Sequence, residues 1–126
     1  MRWFLALMML SAPAFADDAL NCKDPQDQQS MNHCAALDFE KADKELNAIW
    51  PKYKAQAEDA DKDTGKREYT DALLASQRAW IVFRDAECNW EGFAMHGGSG
   101  EPMIVGGCSA RLTRERIKQL EIGASE

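Results

Sequence analysis

Leu73-Leu74-Ala75-Ser76-Gln77-Arg78-Ala79-Trp80-Ile81-Val82-Phe83-Arg84-Asp85-Ala86-Glu87-Cys88 carries the clearest helical pattern in the chain. At helical spacing Leu73, Leu74, Gln77, Trp80, Ile81, Arg84 and Cys88 recur on one side, as the buried stripe of an amphipathic helix does. The spacing predicts a helix over about 66–90, with Asp63 or Thr64 as its cap. Gln77, Arg78, Arg84 and Asp85 interrupt the apolar run, far too soon for a bilayer span of about 20 residues.

Upstream, Glu58 to Gly65 is acidic, has no apolar residue beyond Ala60, and reads as a turn. Before it, Asp27 is a candidate N-cap for a first helix running to about Glu58. Its apolar side passes through Met31, Cys34 or Ala35, Ala42, Leu46, Ile49 and Tyr53. Pro51 removes one backbone hydrogen bond and crowds the carbonyl of Asn47, which predicts a kink or short break near Trp50. Downstream, Gly92 to Gly107 holds six glycines and Pro102 and reads as loop. Ser109 then caps a short last helix carrying Leu112, Ile117 and Leu120, with Gly123 as the residue that closes it.

Two long helices joined by a short turn must lie antiparallel to bury their apolar faces. The expected fold is therefore all-α: an antiparallel helical hairpin plus a short C-terminal helix. A turn near residue 62 sets Asn47 opposite Gln77, and Asp43 opposite Ile81 between Arg78 and Arg84. Polar side chains in an apolar seam need partners, so Asp43, Asn47, Gln77 and Arg84 read as a structural polar network between the helices. Trp50 and Trp80, on helical faces, read as core rather than ligand platform, Trp90 as either of the two, and His33 as a surface histidine.

The start of the chain carries an address. Arg2, the apolar run Trp3 to Leu10, and the small-x-small pattern Ala14-Phe15-Ala16 make a signal peptide over 1–16, with Asp17 as the new N-terminus. No cysteine stands at the cleavage point to hold a lipid anchor, so the exported chain is expected to have no stable membrane anchor. Residues 17–126 suffice for a single domain with one core. Of the 15 Lys and Arg only Arg2 is lost, leaving 14 against 21 Asp and Glu, a formal charge of −7. That balance argues against nucleic acid or an anionic membrane surface, and favours a basic protein partner or no charged partner at all.

Cys22, Cys34, Cys88 and Cys108 form an even set in a small exported chain, which reads as two disulfides. Three connectivities are open. Cys22–Cys34 with Cys88–Cys108 is the local pairing, towards which the reading leans. The hairpin also brings Cys34 near Cys88, which would leave Cys22 for Cys108. The gaps of 12, 54 and 20 residues lack the short Cys-x-x-Cys pairs of a zinc site, so no metal is expected.

Several motifs have a family look. They comprise Met31-Asn32-x-Cys34-Ala35, Ala42-Asp43-x-x-Leu46-Asn47, and Gln77-Arg78-Ala79-Trp80-Ile81-x-Phe83-Arg84-Asp85-x-x-Cys88. Gly97-Gly98-Ser99, Glu101-Pro102-Met103 and Cys108-x-x-x-Leu112-Thr113-x-x-Arg116 continue the pattern. Over nearly all of residues 17–126 the chain resembles the LprI-type lysozyme-inhibitor family of small exported bacterial domains. The resemblance implies a periplasmic or secreted binding protein whose partner is a lysozyme.

The sequence offers no nucleophile–base motif, no zinc-protease motif and no phosphate-cradling glycine loop, so neither catalysis nor a cofactor is expected. A binding reading has one concrete segment, His96, Gly97, Gly98, Ser99, Gly100 and Glu101, a flexible-looking loop between helices. Lysozymes work with two carboxyl groups in a cleft. Glycines would let the loop backbone approach such a cleft closely, and His96 and Ser99 could donate hydrogen bonds to the carboxyl groups. The rival expectation is an envelope interaction or scaffold module unrelated to lysozyme, binding through the exposed face of the hairpin.

Overall fold

Asp27 opens the first helix, α1 (Gln28–Thr64), by accepting a hydrogen bond from the Ser30 amide at 2.8 Å. Helix α2 (Glu68–Gly92) follows, then a single 3-10 turn (Phe93–Met95) and helix α3 (Glu101–Gly123). The structure is a computed structural model that describes residues 21–124. The expected leader, its cleavage site and the first residues of the exported chain lie outside the described residues. Among the described residues there is no strand, and no helix is long and apolar enough to cross a membrane.

Helix α1 passes through Pro51 without the expected break. Pro51 and Asn47 are both exposed, so the carbonyl that proline leaves unbonded faces water, while buried Leu46 and Tyr53 hold the flanking turns. The acidic segment after Glu58 is helix too, and corrects the expected turn. Lys54 pairs with Glu58 at 3.2 Å and Lys62 with Asp59 at 2.6 Å, offsetting its charge. The chain reverses instead at Gly65, whose φ of 69° places it in the left-handed conformation that suits glycine.

Neither Asp63 nor Thr64 caps α2. Asp61, in the last turn of α1, does so from outside the helix: its carboxylate accepts from the Tyr69 amide at 2.8 Å and the Thr70 amide at 3.0 Å. The Thr70 hydroxyl adds a third bond at 2.6 Å. One residue thus serves both helices: its main-chain carbonyl accepts from the Gly65 amide at the end of α1, and its side chain starts α2.

Helix α3 begins at Glu101, well before Ser109, and the glycine-rich loop shrinks to residues 96–100. Pro102 fits the first turn, where its missing N–H costs nothing, and Glu101 suits the positive end of the helix dipole. Glycine count misleads here because Gly106 sits inside the helix for packing. A Cβ at Gly106 would lie 3.0–3.1 Å from the backbone and Cβ of Ala35, so its absence lets α3 cross α1 closely. Ser109 is buried mid-helix. At the far end α3 closes on Ala124 in right-handed conformation, so Gly123 is not the left-handed terminator expected.

The α1–α3 contact is the most extensive in the molecule, exceeding that between the two hairpin helices. Leu46, Tyr53 and Leu120 are buried together, with Ile49, Trp50, Leu73, Trp80 and Ile117 packed around them. A second cluster joins Cys88, Cys108 and Leu112, with Val105 against it. The disulfides are Cys22–Cys34 and Cys88–Cys108, each with Cα atoms 5.4 Å apart. The fold is all-α, a hairpin crossed by a third helix and tied by two disulfides.

Candidate functional site

The segment His96 to Glu101 turns the chain from α2 into α3, directly above the Cys88–Cys108 bond. It is a braced knuckle rather than a slack loop. The Gly98 amide donates to the Met95 carbonyl at 2.8 Å, and the Gly97 amide donates to Glu101 Oε2 at 2.7 Å. Gly97 adopts φ 74°, a conformation glycine reaches without strain. Gly100 is buried under Met95, whose Cε would stand 2.5 Å from any added Cβ.

A third helix steadies the knuckle from the side. Asn32 Nδ2, on α1, donates to the Ser99 carbonyl at 2.7 Å. Gln28 Nε2 donates to Asn32 Oδ1 at 2.8 Å and reaches Met103 Sδ at 3.7 Å. The 3-10 turn, α3 and α1 therefore fix the backbone of residues 97–100, leaving His96, Gly97, Gly98 and Ser99 exposed at the surface.

His96 is oriented on two sides. Its ring stacks on Phe93 with centroids 4.2 Å apart and planes 8° from parallel. Its Nδ1 lies 3.5 Å from Glu101 Oε1. Trp90 extends the aromatic row, 6.1 Å from Phe93. Among the described residues no hydrogen bond joins His96 to Ser99. The histidine faces a carboxylate and an aromatic ring, an arrangement suited to presenting hydrogen-bonding groups to a partner. Below the knuckle a groove of 710 Å³ runs between the helices, lined by Phe39, Asp85, Asn89, Glu101, Pro102 and Val105 among others.

The other four polar residues divide into two groups. Arg84 is buried between the rings of Phe39 and Trp80, 5.0 Å from each, with its Nη1 4.0 Å from Asp43 and its Nε bonded to Asp85 at 2.9 Å. Asn47 donates to Asp43 at 3.3 Å. Gln77 belongs elsewhere. Its Oε1 accepts from Arg116 Nε at 3.0 Å, and Arg116 also donates to Ser76 Oγ at 2.9 Å. The expected face-to-face register of Asn47 and Gln77 fails because the reversal sits at Gly65 and α3 supplies Gln77's partner.

Arg116 is the side chain that sequence reasoning left without a role. It is buried, its guanidinium 5.9 Å from the Trp80 ring, and burial lowers its pKa. Asn32 likewise carries no local sign of its role beyond its motif. A second arginine, Arg114, pins α3 to α1 through both carboxylate oxygens of Asp38 at 2.8 and 3.1 Å. The Arg114 hydrogen bonds hold the Asp38 carboxyl below its usual range. His33 is exposed, Trp50 and Trp80 are half-buried against the core, and Trp90 is exposed. Among the described residues no group of His, Cys, Asp and Glu is arranged to hold a metal ion.

With three crossed helices, two disulfides and a braced knuckle established, the family can be stated. The chain belongs to the lysozyme inhibitor LprI family, whose pattern matches residues 21–120. That is a family of inhibitors, not of enzymes. The chain is also 39% identical over 121 residues to an uncharacterized protein of Rhizobium meliloti (strain 1021), covering 91% of this chain and 87% of that one. No solved structure matches.

Proposed function

We propose that this protein is exported, released by cleavage after Ala16 into the periplasm or medium, and there inhibits a lysozyme by placing the His96–Ser99 knuckle in the enzyme's cleft. The carrying observation is the bracing of that knuckle. The Gly97–Glu101 and Asn32–Ser99 hydrogen bonds, with the Cys88–Cys108 bond beneath, hold the tip in one shape, so little conformational entropy is lost on binding.

Within the cleft, His96 and Ser99 supply hydrogen-bond donors to the two carboxyl groups, and Gly97 and Gly98 allow the backbone to come close. The exposed Trp90–Phe93 pair beside the tip adds apolar contact. The formal charge of −7 on residues 17–126 steers encounter with a basic enzyme. The test is inhibition by the double variant His96→Ala, Ser99→Ala. Loss of inhibition with an unchanged unfolding midpoint supports insertion of the knuckle, and undiminished inhibition contradicts it.

A further inference from the structure

Helix α2 turns one face to the core and leaves the opposite face uncovered by any other described element. On that outer face Ala75, Ala79, Val82 and Ala86 follow one another at alternating spacings of four and three, and all four are exposed. That alternation is the seam of a helix pair. Large apolar side chains complete and flank it: Val82 is 70% exposed and Phe83 54%. A contiguous apolar stripe of this kind on a small, highly charged protein marks an interaction surface.

We infer that a second copy of this chain docks on the outer face of α2, the two helices running antiparallel about a twofold axis near residue 81. The flanking charges select this occupant. Arg78 and Asp85 lie on the same edge of the stripe, one turn to either side of that axis. In an antiparallel pair like edges meet, so Arg78 of each copy faces Asp85 of the other, and the contact is repeated identically by symmetry. Arg78 is exposed and makes no ion pair among the described residues; Asp85 is exposed and receives only the Arg84 Nε bond.

The same register matches size. Ala79 of one copy meets Val82 of the other, and Ala75 meets Ala86. Small residues thereby stand opposite larger or equal ones, and the helices approach closely. The opposite edge carries Phe83, which lies close to the axis and stands beside Phe83 of the second copy. A parallel pair would set the Arg78–Asp85 edge of each copy against the Phe83 edge of the other, leaving both charges without an ionic partner, which disfavours it.

The experiment is sedimentation equilibrium on the disulfide-intact chain from Asp17 onward, over a concentration series, with three variants and circular dichroism as a folding control. The wild type should show a reversible monomer–dimer equilibrium. Val82→Glu should raise the dissociation constant by about tenfold or more. Arg78→Asp should weaken the dimer by placing like charges together, and Arg78→Asp with Asp85→Arg should restore it. A wild type that stays monomeric at every concentration overturns the inference, as does a dimer indifferent to Val82→Glu or to the charge exchange. Monomeric protein whose lysozyme inhibition is lost in Val82→Glu would assign the face to the enzyme instead, which also overturns it.

Discussion

The side-chain amide of Asn32 donates to the main-chain carbonyl of Ser99 at 2.7 Å, joining residues 67 positions apart in the chain. This bond ties the knuckle to α1, a helix that is otherwise remote from it in sequence. Asn32→Ala should therefore speed amide exchange of residues 97–100 and weaken lysozyme inhibition, while the unfolding midpoint falls little. The site is partly exposed, and a lost neutral hydrogen bond contributes about 0.5–1.5 kcal/mol. Hydrogen exchange read by NMR or mass spectrometry would check it.

The Cys88–Cys108 bond closes a chain segment with a sequence separation of 20. Replacing both cysteines by alanine should lower stability by about 3 kcal/mol, through greater freedom of the unfolded chain. It should also loosen the knuckle, whose two ends the bond holds. Denaturant unfolding of the double variant beside the wild type measures the first effect, and the inhibition constant measures the second.

Asp61 should make part of the stability acid-labile. Burial pushes its carboxyl pKa up, but the Thr70 hydroxyl and the Tyr69 and Thr70 amides pull it lower still, and Arg67 adds to them, so it ends below the usual carboxylate value. A carboxyl whose folded pKa is depressed stabilises the fold above its unfolded pKa of about 3.9, and that contribution disappears as pH falls through the folded value. Asp61→Asn should be less stable than wild type at pH 7, and the gap should close in acid. Thermal melts from pH 7 down to pH 2 would show it.

Gly106 is required by the crossing of α3 over α1. Gly106→Val should cost about 1–3 kcal/mol, the usual penalty of overpacking, because its side chain would meet the Ala35 backbone at 3.0 Å. Gly107, with open space where its Cβ would be, should accept alanine without loss. A pair of melting curves separates the two glycines.

The α2 stripe was legible because Trp80, Arg84 and Cys88 recur at helical spacing on a helix with one buried side. The all-α class and the family followed from it. The start of α3 was not legible, because Gly106 and Gly107 signal flexibility to a local reading, while Gly106 is there for a contact with a residue far away in sequence. The reversal was misplaced for a similar reason: Asp61 looks like a turn residue until its partners, Tyr69 and Thr70, are known to be within reach. In the site, the His96–Glu101 segment was found from its glycines, but its rigidity depends on Asn32 and Phe93. Nothing local distinguishes those two from an ordinary surface amide and an ordinary apolar residue. Arg116 was missed because its role depends on Gln77 and Ser76 across a helix interface.

Inhibition itself is measured by titrating cell-wall hydrolysis by c-type, g-type and i-type lysozymes with the chain from Asp17 onward, disulfides intact. Stoichiometric loss of activity for at least one class is the predicted result. Full activity of all three enzymes in the presence of folded protein would contradict the inhibitor account.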